Sequence, residues 1–159
     1  MLHTFIFDLD GTTVNSDHRL GDGSLAYWRR MNTPANIMQD KPLPLAEQMR
    51  QAIRDGLDVV IMTSRVMGHA DKNWLHFHGL MAPLVLSRHP SDTRPAGEYK
   101  LAKMAELAIR KRISMADLKA STVMWDDDSD VQQTLRNAGF RVIDPVNFNH
   151  QSMSQKEAI

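Results

Sequence analysis

Asp8 and Asp10 stand two residues apart where an apolar run, Phe5-Ile6-Phe7, gives way to Gly11 and Thr12. Side chains two apart on a strand point to the same side, so this spacing brings two carboxylates to one small volume at a strand end. Gly11 lets the chain turn there, because a residue without Cβ reaches backbone angles that others resist. Two carboxylates this close repel, and the pairing makes most sense around a cation or a shared proton. In outline this is a phosphoryl-transfer centre. The plain alternative is a strand followed by a solvated acidic turn.

Other reactive residues fall at comparable places. Thr63, Ser64 and Arg65 follow a second apolar strand, and Asp126, Asp127 and Asp128 follow a third, with Asp130 one helical turn beyond. Lys100 sits near the start of a helix. In open parallel α/β sheets ligands bind outside the carboxyl ends of the strands. Segments far apart in sequence would thus deliver carboxylates, a hydroxyl and cations to one edge. Arg19 and Arg65 are the candidates for gripping a phosphate-bearing substrate, because guanidinium groups present forked donors to phosphate oxygens. The competing reading for each is a surface cation.

The elements that must position these residues alternate strand and helix. Strands are predicted at about Thr4–Phe7, Leu57–Met62, Leu84–Leu86, Thr122–Trp125 and Phe140–Ile143. Helices are predicted at about Leu43–Asp55, Gly68–His78, Pro95–Arg110 and Ser129–Ala138. The clearest is the third, where Leu101, Met104, Ala105, Ala108 and Ile109 form one apolar stripe. The pattern implies an α/β, Rossmann-like, mostly parallel sheet with helices on both faces, in a single domain over 1–159. Residues 13–42, rich in glycine and proline with a possible short helix at Ser24–Met31, read as a small cap or lid inserted after the first strand. From about Asn147 the chain is polar with weak periodicity and is expected to fray.

Composition narrows the classes. A chain of 159 residues, 42% hydrophobic and 24% charged, is ordinary for a soluble globular domain. No apolar stretch is long enough to span a bilayer, and the N-terminus has no basic region of a signal peptide. With no cysteine, thiolate chemistry is excluded and a cytoplasmic location is expected. A net charge of zero argues against tracking long nucleic acid, but permits recognition of one phosphate end by a few cations.

Taken together, Asp8-Leu-Asp10-Gly-Thr, Thr63 at a strand end, Lys100 and Asp126-Asp127 resemble the haloacid dehalogenase superfamily of aspartate-nucleophile phosphatases. Arg19, Thr63-Ser64-Arg65 in place of Ser-Gly-Arg, Asn73-Trp74 and Asp92-Thr93-Arg94 narrow the resemblance to the phosphatase domain of phage polynucleotide kinase-phosphatases. The resemblance implies that Asp8 attacks phosphorus and that Asp10 serves as acid and then base. It further implies Thr63 and Lys100 on the transferring phosphoryl group, and Arg19, Ser64 and Arg65 on the substrate. Mg²⁺ is implied on Asp8, the backbone carbonyl of Asp10, and a carboxylate of the Asp126–Asp127 pair, with Asp127 favoured and Asp126 assisting. Where the resembled domain carries a further acid before the lysine, this chain has Pro95-Ala-Gly-Glu98; Asp92 is placed in a salt bridge with Arg94 instead. No Gly-x-x-x-x-Gly-Lys-Ser/Thr loop occurs, so the kinase half is missing from this chain.

Three readings follow. The first is a Mg²⁺-dependent polynucleotide 3′-phosphatase acting on phosphorylated nucleic acid ends through an aspartyl-phosphate. The second is a nucleotidase or small-molecule phosphatase with the same mechanism. The third, of another class, is a non-catalytic domain that binds a phosphorylated ligand or a partner.

Overall fold

The computed structural model of the protein describes residues 3–158. In chain order the elements are β1 (Thr4–Phe7), β2 (Val14–Asn15), α1 (Leu25–Met31), α2 (Pro34–Ile37), β3 (Lys41–Pro42), α3 (Leu45–Arg54), β4 (Asp58–Met62), α4 (His69–Phe77), β5 (Leu84–Leu86), α5 (Ala96–Lys111), α6 (Met115–Ser121), β6 (Thr122–Trp125), α7 (Ser129–Asn137), β7 (Arg141–Ile143) and α8 (Val146–Glu157). Five strands form one parallel sheet in the order β5-β4-β1-β6-β7. The α/β, Rossmann-like architecture is as the alternating pattern predicts.

Alternation along the strands divides the core in two. Ile6, Val60, Met62 and Met124 pack against Met104, Leu107, Leu118, Val131 and Leu135 of α5, α6 and α7. Phe7, Val59 and Ile61 face the other way, onto Met49, Trp74 and Leu75 of α3 and α4. Burying a large apolar side chain contributes about 1.5–3 kcal/mol, so a one-residue slip in β1 would turn both layers inside out. Register is therefore tightly held. Phe7 pairs with Ile61 on one side and Trp125 on the other, which leaves the ends of β4, β1 and β6 level.

Residues 13–42 are clasped at their base, where β2 and β3 pair antiparallel with Val14 opposite Pro42. The expected helix in this insertion is α1, capped by the Ser24 hydroxyl, which accepts from the Tyr27 N–H. The short α2, β2 and β3 of the insertion escaped the sequence reading, and so did two helices outside it. One is α6, a seven-residue helix capped by Ser114 and too short for periodicity to declare itself. The other is α8: the tail expected to fray is helical over Val146–Glu157. Its anchor is Asn149, which is buried, donates to the Thr12 carbonyl at 3.0 Å and accepts from the Leu45 N–H at 2.9 Å. Such contacts across more than a hundred residues leave no trace in local pattern. Among the described residues no helix is long and apolar enough to cross a membrane.

Candidate active site

Because β4, β1 and β6 end level, Thr63, Asp8 and Asp126 leave the sheet side by side. Asp8 is 6% exposed. Its N–H donates to the Trp125 carbonyl at 3.1 Å, its carbonyl accepts from the Thr13 hydroxyl at 2.8 Å, and its Oδ1 accepts from Lys100 Nζ at 2.8 Å. Lys100 reaches this point from the second turn of α5, buried at 2% exposure, and also donates to Asp126 Oδ2. The close approach of α5 depends on Gly97, where a Cβ would lie 2.4 Å from Thr134 Oγ1 of α7. No additional acid is needed behind Lys100, since Asp8 and Asp126 hold it directly. Asp92 does pair with Arg94, at 2.7 Å.

The acid run after β6 is sorted by the structure. Asp126 is fully buried, with Oδ1 accepting from the Asp128 N–H and Oδ2 from Lys100. Asp128 caps α7, accepting from the N–H groups of Asp130 and Val131. Asp130 turns to the N–H of Gly97 at 2.8 Å and so fixes α5 against α7. Among the described residues the Asp127 carboxylate has only a long contact, 3.3 Å, from the Thr12 hydroxyl on Oδ1. Its carboxylate also explains Gly11: that residue has φ +76°, and a Cβ there would lie 2.1 Å from Asp127 Oδ2.

Carboxylate oxygens of Asp8, Asp126 and Asp127 all lie within 4.8 Å of one another. Burial, then the Asp126 charge, pushes the Asp8 carboxyl up to about 7 against the pull of Lys100. Burial, then the Asp8 charge, raises Asp127 to about 7 as well. Three oxygen donors facing a single ammonium leave an excess of negative charge, and hard oxygen ligands suit Mg²⁺. The residues therefore fit the ion. Asp10 would join such a set only through its carbonyl, because its side chain points elsewhere.

That side chain meets Arg65. The guanidinium donates to both Asp10 oxygens, from Nε at 2.8 Å and from the terminal NH2, and Ser16 adds a hydroxyl bond at 2.8 Å. Burial alone would raise the Asp10 carboxyl; the Arg65 charge and hydrogen bonds outweigh it and hold Asp10 below the usual range. Arg65 itself is 2% exposed and also donates to Asp71 at 2.9 Å and Asp40 at 3.0 Å. Arg19 grips Asp40 with two bonds, 2.9 and 2.7 Å, donates to Asn32 at 2.9 Å, and lies over the Trp28 ring at 4.3 Å. Both arginines predicted to face the substrate thus have their forks occupied by carboxylates of the protein.

Thr63 is buried, with Oγ1 accepting from the Arg65 N–H at 3.1 Å, so its proton is free to point at the sheet edge. Ser64 is half-buried; Arg88 Nε donates to its carbonyl at 3.0 Å and NH1 reaches the carbonyls of Asp92 and Arg94, tying together the loops after β4 and β5. Sequence reasoning missed Ser16, Asp40, Asp71 and Arg88. Asp71 had a visible signal, three residues after Gly68, where its carboxylate accepts the Gly68 N–H to start α4. Asp40 lies in the variable insertion and had none.

Comparison with known proteins bears on the family and the fold. Residues 1–158 match the family model of the bacteriophage T5 5′-deoxynucleotidase. The 5′-deoxynucleotidase of Escherichia phage T5 is 38% identical over 84 residues, 47% of this chain, which spans only 34% of that protein. By structure, a chain of the Pnkp1/Rnl/Hen1 RNA repair complex superposes with a TM-score of 0.63 at 20% identity, covering 91% of this chain and 42% of that one. The haloacid dehalogenase-like hydrolase SP0104 of Streptococcus pneumoniae gives 0.63 at 9% identity, covering 90% and 84%. With the fold of the haloacid dehalogenase hydrolases and a family match over nearly all its residues, the chain belongs to the bacteriophage T5 5′-deoxynucleotidase family.

Proposed function

We propose that the protein is a Mg²⁺-dependent phosphomonoesterase that removes the phosphate of a deoxynucleoside 5′-monophosphate through an aspartyl-phosphate on Asp8. The observation that carries this reading is the buried Asp8 carboxylate, held by Lys100 at a strand end beside Asp126 and Asp127. The family match supports the substrate class.

In the first half-reaction an Asp8 oxygen attacks phosphorus and the ester P–O bond breaks, its electron pair and a proton from Asp10 going to the leaving alcohol. In the second, Asp10 takes a proton from water, the resulting hydroxide attacks phosphorus, and the bond to Asp8 breaks to release inorganic phosphate. Lys100 offsets charge on Asp8 and the phosphoryl group, and the Thr63 hydroxyl donates to a phosphoryl oxygen. Asp8, Asp127 and the Asp10 carbonyl, with Asp126 assisting, would hold Mg²⁺, which would supply further charge neutralisation. Arg65 and Arg19 act as positioning residues. The fork of Arg65 orients Asp10 and holds its carboxyl below the usual range, which favours the base form; an arriving phosphate dianion raises the Asp10 carboxyl and lets it take from solvent the proton it donates. The proposed place of action is the cytoplasm.

A second reading, removal of 3′-phosphates from nucleic acid ends, is favoured by the small insertion, which leaves the Asp10 side chain 29% exposed to the open edge. Phosphate release from a deoxynucleoside 5′-monophosphate, a 3′-monophosphate and a 3′-phosphorylated oligonucleotide, with and without Mg²⁺, separates the two. The first reading expects the 5′-monophosphate to turn over fastest and only with the metal. Preference for the oligonucleotide would install the second, and folded protein inert on all three would overturn both.

A further inference from the structure

At the base of the insertion Asn15 of β2 pairs with Lys41 of β3, and beyond that pair come Ser16 on one side and Asp40 on the other. Ser16 bonds Asp10 directly, at 2.8 Å. Asp40 reaches Asp10 through Arg65. Its Oδ2 accepts from the Arg65 NH2 nitrogen at 3.0 Å, and that same nitrogen donates to Asp10. Asp40 is itself pinned from two sides. Its carbonyl accepts from the indole N–H of Trp74 on α4 at 3.1 Å, and its wholly buried carboxylate takes the fork of Arg19.

A guanidinium that held Asp10 alone could turn about its own bonds and carry the carboxylate with it. Here NH1 is fixed on Asp71 of α4 at 2.9 Å and NH2 on Asp40, so carboxylates outside the Arg65–Asp10 pair set the plane of the fork. On the far side of Asp40 stands His18, in a single turn of 3-10 helix over Asp17–Arg19. Its Nε2 lies 2.8 Å from Asp40 Oδ1, and both Asp40 oxygens already accept from Arg19, so the imidazole is the donor. A continuous run of hydrogen bonds thus leads from His18 through Asp40 and Arg65 to Asp10. Asp40 and Arg65 are buried; His18, with a side chain 32% exposed, lines a cavity of about 580 Å³ at the outer end.

We infer that Asp40, with His18 behind it, is a positioning residue for the proton transfer at Asp10. This rests on the mechanism proposed above, in which Asp10 carries the proton. As the ester P–O bond breaks, its electron pair stays with the leaving oxygen, which takes the proton from Asp10. Asp40 and His18 exchange no proton; they hold the Arg65 fork that aims the acid. Such a transfer needs the acid within hydrogen-bond reach of the leaving oxygen, and a misplacement of about 1 Å costs on the order of 100-fold. The base of the insertion therefore sets the aim of the acid it adjoins.

The test compares kcat/KM for a deoxynucleoside 5′-monophosphate, whose leaving alkoxide needs the proton, with that for p-nitrophenyl phosphate, whose phenolate leaves without one. Up to departure of the leaving group, only the first ester depends on Asp10 as an acid. In Asp40→Asn the nucleotide value is expected to fall about 10- to 100-fold and the aryl value about threefold or less. Asp40 is buried, so the comparison is repeated in His18→Leu, at a partly exposed site that tolerates the change. There the nucleotide value should fall about three- to tenfold with the aryl value held. Added to Arg65→Lys, His18→Leu should cost nothing further, because it acts through that fork. Equal losses on both esters, no loss on the nucleotide in His18→Leu, or losses that multiply with Arg65→Lys would overturn the inference. The nucleotidase reading fails separately, if the wild type leaves the nucleotide intact; the 3′-phosphorylated oligonucleotide, another alkyl ester, then takes its place in the same comparison.

Discussion

Asp8 and Asp10 are two residues apart, yet they belong to regions with opposite electrostatics. Around Asp8, three carboxylates face one ammonium, and the Asp8 and Asp127 carboxyls rise to about 7. Around Asp10, the carboxylates of Asp10, Asp40 and Asp71 interleave with the guanidinium groups of Arg65 and Arg19, and the Asp10 carboxyl drops. The first region is short of positive charge and calls for a cation; the second is nearly neutral within itself. Neighbouring carboxylates whose environments push them apart take different chemical roles. The proposed nucleophile and proton carrier are here separated by their partners more than by their own positions.

The largest effect that would break this contrast is loss of the proposed nucleophile. Asp8→Asn is expected to lower turnover by ~10⁴-fold or more, while far-ultraviolet circular dichroism stays that of the wild type. Retained activity would remove Asp8 from the mechanism. Next comes the other region. Arg65→Lys keeps a charge but not the fork on Asp10, and kcat should fall roughly 10- to 100-fold. Because Arg65 depresses the Asp10 carboxyl, its replacement should move the acidic limb of the pH–rate profile to higher pH. A uniform loss with the limb unmoved would mean that Arg65 serves only the fold.

These assignments show what a sequence can carry. The strand ends with Asp8, Asp10, Thr63 and Asp126-Asp127 could be placed from the sequence because strand periodicity is local and each of these residues sits at a fixed step beyond an apolar run, whereas Lys100 was placed only near the start of a helix. The roles of Arg19 and Arg65 were not. Whether a guanidinium faces substrate or a protein carboxylate depends on Asp40, 21 residues from Arg19 and 25 from Arg65, in an insertion without a periodic signal. Likewise α8 is held through Asn149 by contacts reaching back to Thr12 and Leu45, which no window of sequence contains.

A smaller effect sharpens the comparison through pH. Asp8 and Asp127 ionise near 7 in the fold against an ordinary 3.8, so the folded state favours their protonated forms. The stability they contribute to the metal-free protein is therefore full below about 4 and is lost as pH climbs towards 7. Mg²⁺ competes with those protons, so its stabilisation, measured as a shift in Tm, should be larger at about pH 8 than at about pH 5.5. Asp127→Asn should raise the metal-free Tm at the higher pH and abolish most of the Mg²⁺ shift. A Mg²⁺ shift equal at both pH values would contradict the excess of charge assigned to this cluster. Smallest of all, Asn149→Ala, outside both regions, should cost about 1–2 kcal/mol by freeing α8, seen as a Tm lower by a few degrees.

The most direct measurement is to quench the enzyme in acid during turnover of a deoxynucleoside monophosphate labelled in its phosphate, then map the label by peptide mass spectrometry. The account predicts an acyl phosphate, cleaved by hydroxylamine, on the peptide carrying Asp8, and none in Asp8→Asn. Phosphate release with no trapped label, or label on a different residue, would contradict Asp8 as the nucleophile.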